Sequence, residues 1–134
     1  MLIFDASNRD QCEVQRGRTN TPLQALVMMN DPHVMESSRV LASHLSAEKG
    51  SLDVVLAKAF RKIICRKPSE KELIILKRYF ENEQASFKKE PTKIEKLMKI
   101  GEYKKDPGAI RFYTAALMQT IQLIYNMEEA LIRV

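Results

Sequence analysis

The sequence has no tryptophan, only four glycines and five prolines among 134 residues, and aromatic side chains make up just 7%. So few turn-forming residues disfavour an all-β chain, which needs many tight turns. Two cysteines, Cys12 and Cys65, do not make a disulfide framework. Cys65, late in a helical pattern, is expected to be a small buried hydrophobe. No uninterrupted apolar stretch approaches the roughly 20 residues of a membrane-spanning helix, so no membrane insertion is expected. The opening, Met1 to Asp5, lacks the basic region and long apolar segment of a signal peptide. Cys-x-x-Cys-His, a glycine-rich phosphate loop and a nucleophile elbow are all missing. His44 stands without a second histidine at helical spacing, which a zinc site would want. Met28, Met29, His33 and Met35 could ligate copper or haem iron by chemistry, but methionine filling the gap between two short helices is the better account. No catalytic residue, metal or cofactor is therefore expected in this chain.

What is present is ordinary for one soluble globular domain, with 45% hydrophobic and 29% charged residues. A chain of this length buries roughly two-thirds of its extended surface and can hold its own core. Residues 4–20 carry almost no periodicity and read as a long polar loop. Thr21-Pro22 then gives a helix start, with Leu23, Leu26 and Val27 making one short apolar face. Asn30-Asp31-Pro32 stops that helix, and Asp31 caps a second one reaching about Lys49-Gly50, where glycine would supply a left-handed stop. Ser51 opens a third helix with Leu52, Leu56, Ala59, Phe60, Ile63 and Ile64 at helical spacing, ended by Pro68. Ser69 and Glu72 form a capping box for a fourth helix running to about Lys89, with Leu73, Leu76, Phe80 and Phe87 inward. Thr92 and Glu95 suggest a second capping box, for a short helix closing near Gly101. Asp106-Pro107 starts the last helix. From Ile110 to Ile124 it is apolar on most sides, the signature of a helix at the centre of a domain. The fold class expected is all-α, a compact bundle of five or six helices over residues 21–134, preceded by the polar loop of residues 1–20.

The formal charge of +5 is unevenly placed. Residues 1–50 balance at −1, residues 51–105 at +7 and residues 106–134 at −1. Basic pairs at Arg66-Lys67 and Lys88-Lys89 fall where the third and fourth helices are expected to close, and cations there meet the negative end of the helix dipole. Lys104-Lys105 reads as loop charge. Lys58, Lys62 and Arg66 could form a stripe for nucleic acid. Without interleaved aromatics or a recognition motif, a solvated helical face is the stronger reading, and no nucleic-acid partner is expected.

The polar opening is the least ordinary feature. Arg9, Arg16, Arg18, Asn20 and Gln24, with Asn30 and Asp31 at the first helix junction, gather fork-shaped and amide groups in a short span. They could tie the loop to the helices, face a neighbouring domain or protein partner, or clamp an anion bidentately. The first two readings outweigh the third.

These residues also carry a family resemblance. Phe4-Asp5 with Arg9 and Cys12, then the run Arg18-Thr19-Asn20-Thr21-Pro22-Leu23-Gln24-Ala25-Leu26, then Met29-Asn30-Asp31-Pro32, resemble the C-terminal part of the domain of unknown function 1553 family. Those are large proteins abundant in planctomycetes and some related bacteria. Arg66-Lys67-Pro68 through Leu73, Ile100-Gly101-Glu102 and Asn126 to Leu131 resemble later segments, so the likeness runs over nearly the whole chain. It implies a longer, exported or periplasmic parent, sometimes carrying a cytochrome-c-like module. The functional expectation is a non-catalytic helical accessory or interaction domain, a C-terminal piece whose partner is the rest of its parent or another protein. The alternative is part of an enzyme, redox-linked or acting on extracellular glycans, with the N-terminal arginines lining an anionic-substrate site.

Overall fold

The computed structural model describes residues 22–48, 50–103 and 111–131. The polar loop of residues 1–20, Cys12, Thr21, Lys104-Lys105 and Asp106-Pro107 lie outside the described residues. Seven helices and no strands occur among those described: α1 (Pro22–Asn30), α2 (Pro32–Ala47), α3 (Leu52–Ile64), α4 (Glu70–Lys89), α5 (Thr92–Met98), α6 (Arg111–Tyr125) and α7 (Glu128–Leu131). The all-α expectation holds. The short α7 takes the count beyond five or six.

The fold is organised around α6. Ala115, Ala116, Leu117, Met118, Ile121 and Ile124 are all buried along it, so neighbours must cover it on several sides. Helices α2 and α4 are its main flanks, α3 packs against α4 and α6, and α5 and α7 close over the remainder. One apolar core results, joining Ala42 and Leu45 of α2, Leu56 and Phe60 of α3, and Leu76, Phe80 and Phe87 of α4 to the α6 side chains. Phe80 meets Tyr113 edge to face at 5.1 Å, fixing α4 against the first turns of α6. Truncating a wholly buried leucine such as Leu56 or Leu117 in a core of this kind costs about 2–5 kcal/mol.

Local signals explain most helix starts. Asp31 Oδ1 accepts from the backbone N–H of His33 at 2.7 Å and of Val34 at 3.2 Å, so the expected cap of α2 forms. Ser69 and Glu72 close their reciprocal capping box at the head of α4. Lys88 and Lys89 lie in the last turn of α4, where their charge opposes the exposed carbonyls.

Four local expectations fail for physical reasons. Gly50 takes no left-handed conformation; α2 ends at Ala47, with Glu48 extended and its N–H donating to Leu45 O. The left-handed stop belongs to Cys65, at φ 66°, which caps α3 and is exposed rather than buried. Thr92 makes no cap; it is the first residue of α5, and the residue before it, Pro91, is already helical. Arg66 lies beyond the end of α3, so the dipole is not the reason for its charge.

That charge serves three elements instead. The Arg66 guanidinium donates to both Glu72 oxygens, at 2.9 and 2.6 Å, and to both Glu129 oxygens, at 2.7 and 2.9 Å. Its plane also lies over the Phe60 ring, 4.9 Å from the centroid. The end of α3, the start of α4 and α7 are thereby joined. Glu72 accepts in addition from the Ser69 N–H at 2.6 Å. Arg66 foremost, then that backbone N–H, pull the Glu72 carboxyl from its ordinary 4.5 down to about 2. Glu129 is held below the usual carboxylate range by the same arginine.

A second anchor fastens the segment after α5. Arg39, only 2% exposed on α2, donates from Nε to Ile100 O at 3.2 Å and from a terminal nitrogen to Tyr103 O. One turn earlier, Glu36 accepts from the Tyr103 N–H at 2.6 Å. Between these carbonyls Gly101 sits at φ +90°, and a Cβ there would come within 2.6 Å of Glu36 Cγ.

Two predictions follow from these anchors. Gly101→Ala combines left-handed strain with that clash, and should destabilise the protein by about 1–3 kcal/mol in urea unfolding; an unchanged midpoint would contradict the close approach. Glu72 has a depressed folded-state pKa, so its contribution is complete above the unfolded value near 4.5 and fades as pH falls toward 2. Arg66→Met should therefore lower the thermal midpoint at pH 7 and make it less dependent on pH between 4.5 and 2. Parallel curves for wild type and variant would remove the arginine as the cause.

Candidate interaction surface

Helix α1 is built the wrong way round for a surface helix. None of its nine residues, Pro22–Asn30, is charged. Its one buried residue is polar: Gln24 is 3% exposed. Leu23, Leu26 and Met29, three residues apart and therefore along one stripe, are 53%, 56% and 46% exposed. Val27 is half-buried, so the apolar face expected from Leu23, Leu26 and Val27 is real but mostly turned outward.

Polar groups hold this orientation. Gln122, buried on the central helix α6, donates from Nε2 to Met29 O at 2.6 Å, taking one of the orphan carbonyls at the end of α1. Asn30 donates from Nδ2 to Leu26 O at 2.8 Å, folding its side chain back on its own helix. The Asp31 N–H continues the ladder to Val27 O at 2.9 Å, and its side chain caps α2. Gln24 is engaged as well. An amide at each end of the inner face thus replaces the usual apolar contact, and the leucines are left outside.

Of the residues singled out from sequence, Arg9, Arg16, Arg18 and Asn20 lie outside the described residues. Gln24, Asn30 and Asp31 lie in and just after α1, where they shape the α1–α2 junction. They do not converge with one another on an open pocket: Gln24 is buried, Asn30 turns back on its own helix, and Asp31 serves the next one. Gln122 and Arg39 were not foreseen. A glutamine inside an apolar run is a readable oddity, whereas nothing local marks Arg39, whose carbonyl partners are more than sixty residues away.

Other exposed apolar side chains differ in setting. Ile74 and Ile75 are the most exposed, but they sit on α4 among Lys71, Lys77 and Arg78. Single apolar residues scattered among charges are normal on a surface. The α1 stripe has no charged neighbour on its own helix. Of the basic stripe, Lys58 pairs with Glu48 and Arg66 with two glutamates. Met29 and His33 are exposed while Met35 packs against the core, and no described group of three or more His, Cys, Asp or Glu is gathered to hold a metal. No described helix is long and apolar enough to cross a membrane.

No curated protein and no solved structure matches this chain. A family model does, that of PSD1, a protein of unknown function (DUF1553), over residues 1–80. The match takes in α1, α2, α3 and the first half of α4; the likeness read further along, to Leu131, lies beyond it. Covering more than half of the sequence and the whole of the inverted helix, it shows that the chain belongs to the PSD1 family of proteins of unknown function (DUF1553).

Proposed function

We propose that the chain is a helical interaction domain, the C-terminal region of a larger exported bacterial protein, which docks through α1 against the rest of that protein. The observation that carries this reading is the inversion of α1, with Gln24 buried and Leu23, Leu26 and Met29 outside. Completing the burial of three half-exposed side chains is worth about 3 kcal/mol, at about 1 kcal/mol for the exposed half of each. That is about two orders of magnitude in affinity, enough to define a contact but less than a whole interface. A covalently joined neighbour suits such a patch, because a shared chain supplies the effective concentration that the patch lacks. Asn30 and Asp31 spend their side chains on the geometry of the α1–α2 junction, which holds the stripe in its outward setting.

The parent protein can be produced as two co-expressed polypeptides, this chain and the remainder. Leu23→Glu/Leu26→Glu should abolish their co-purification while leaving the chain's helicity and thermal midpoint unchanged. Ile74→Glu/Ile75→Glu, on the charged face of α4, should leave co-purification intact. Retention by the α1 variant, or equal loss in both, would refute docking through α1.

A further inference from the structure

A cleft of about 520 Å³ opens to solvent between α2, α3 and the end of α6. The helical period of α2 places it. Ser38, Ala42 and Leu45 face the core, while Glu36 and Arg39 hold the segment after α5. A third face, Ser37, Val40, Leu41 and His44 at i, i+3, i+4 and i+7, lines the cleft. Lys62 and Ile63 of α3 and Tyr125 of α6 complete it. Val40, Leu41 and Ile63 supply apolar wall; His44, Lys62 and Tyr125 supply polar groups.

Charge decides what could sit there. Among the described residues, no carboxylate lines the cleft. Lys62 makes no hydrogen bond or ion pair among the described residues; Glu48, whose carboxyl is held below the usual carboxylate range chiefly by Lys58 and to a lesser degree by Lys62, is bonded to Lys58. The His44 ring and the Tyr125 hydroxyl are likewise not engaged by described side chains or backbone, while Ser37 donates to Val34 O at 3.0 Å and keeps its oxygen as an acceptor. One cation and two further donors, with no carboxylate among the described lining residues, favour a negative ligand. The apolar wall gives no benefit to a bare inorganic ion, and the volume lies within the roughly 300–1,000 Å³ of small-molecule sites.

We propose that this cleft binds a small organic carboxylate with an apolar body. Lys62 meets the carboxylate, His44 and Tyr125 donate to it, and the body lies against Val40, Leu41 and Ile63. The site is separate from α1 and does not depend on docking there.

Benzoate, benzamide and inorganic phosphate titrated into the isotopically labelled intact chain provide the test, read from amide shifts of the lining residues. Benzoate should give saturable shifts at α2, α3 and Tyr125, with the neutral benzamide and the bare phosphate each at least about tenfold weaker. Lys62→Met, a change at an exposed position, should weaken benzoate about tenfold and leave benzamide unaltered. Benzamide or phosphate matching benzoate would overturn the proposal, as would the absence of saturation or an unaffected Lys62→Met variant.

Discussion

A helix without a polar face cannot rest on a surface, and α6 is such a helix. Its residues from Thr114 to Ile124 are buried almost without a break, so the bundle is a set of helices recruited to cover it. Small residues let α2 lie close: Ser38, Ala42 and Ser43 are buried opposite a helix that offers Thr114, Ala115 and Ala116. Where polar atoms enter that contact they are satisfied, as when Thr114 reaches Ser46 at 3.3 Å and Thr120 turns back to Ala116 O. Gln122 belongs to the same class of buried polar groups, but its partner is the end of α1. The demand that a buried amide be bonded is what fixes how α1 sits.

The functional reading descends from that constraint. Once α2 to α5 and α7 have covered α6, α1 is surplus to the core and is held by amides rather than by leucines. Its apolar stripe remains outside, on a helix without charge. The rest of the surface is managed differently. Arg66 ties together three helix ends with two edges of its guanidinium fork, Lys58 answers Glu48, and Lys77 answers Asp53. Exposed pairs of this sort contribute little individually, but the shared arginine holds α7, a helix of one turn that could not persist alone.

Much of this was legible in the sequence where the signal is local. Asp31 before Pro32, Ser69 with Glu72, and the mostly apolar run toward Ile124 each named a helix correctly. Two of the misreadings share one physical cause: the deciding partner lies far along the chain. Arg66 looks like a helix-end cation until Glu129, sixty-three residues on, is brought beside it. Cys65 rather than Gly50 goes left-handed, a site that intrinsic preference for glycine would not select. Leu23 and Leu26 read as an apolar face, but which way the face turns was set by Gln122 on a helix ninety-three residues from Met29. The candidate surface was thus visible as a pattern, and its direction was not. The N-terminal arginines carry the family resemblance and lie outside the described residues; the surface described lies on the helix that follows them.

The docking face proposed for α1 is directed at the remainder of a larger protein. Hydrogen exchange read by mass spectrometry, on this chain alone and within the full-length parent, tests it most directly. With docking through α1, the peptide covering Pro22–Asn30 exchanges markedly more slowly within the parent, while the exposed face of α4 around Ile74 and Ile75 exchanges alike in both. Identical exchange of α1 in the two settings would contradict it.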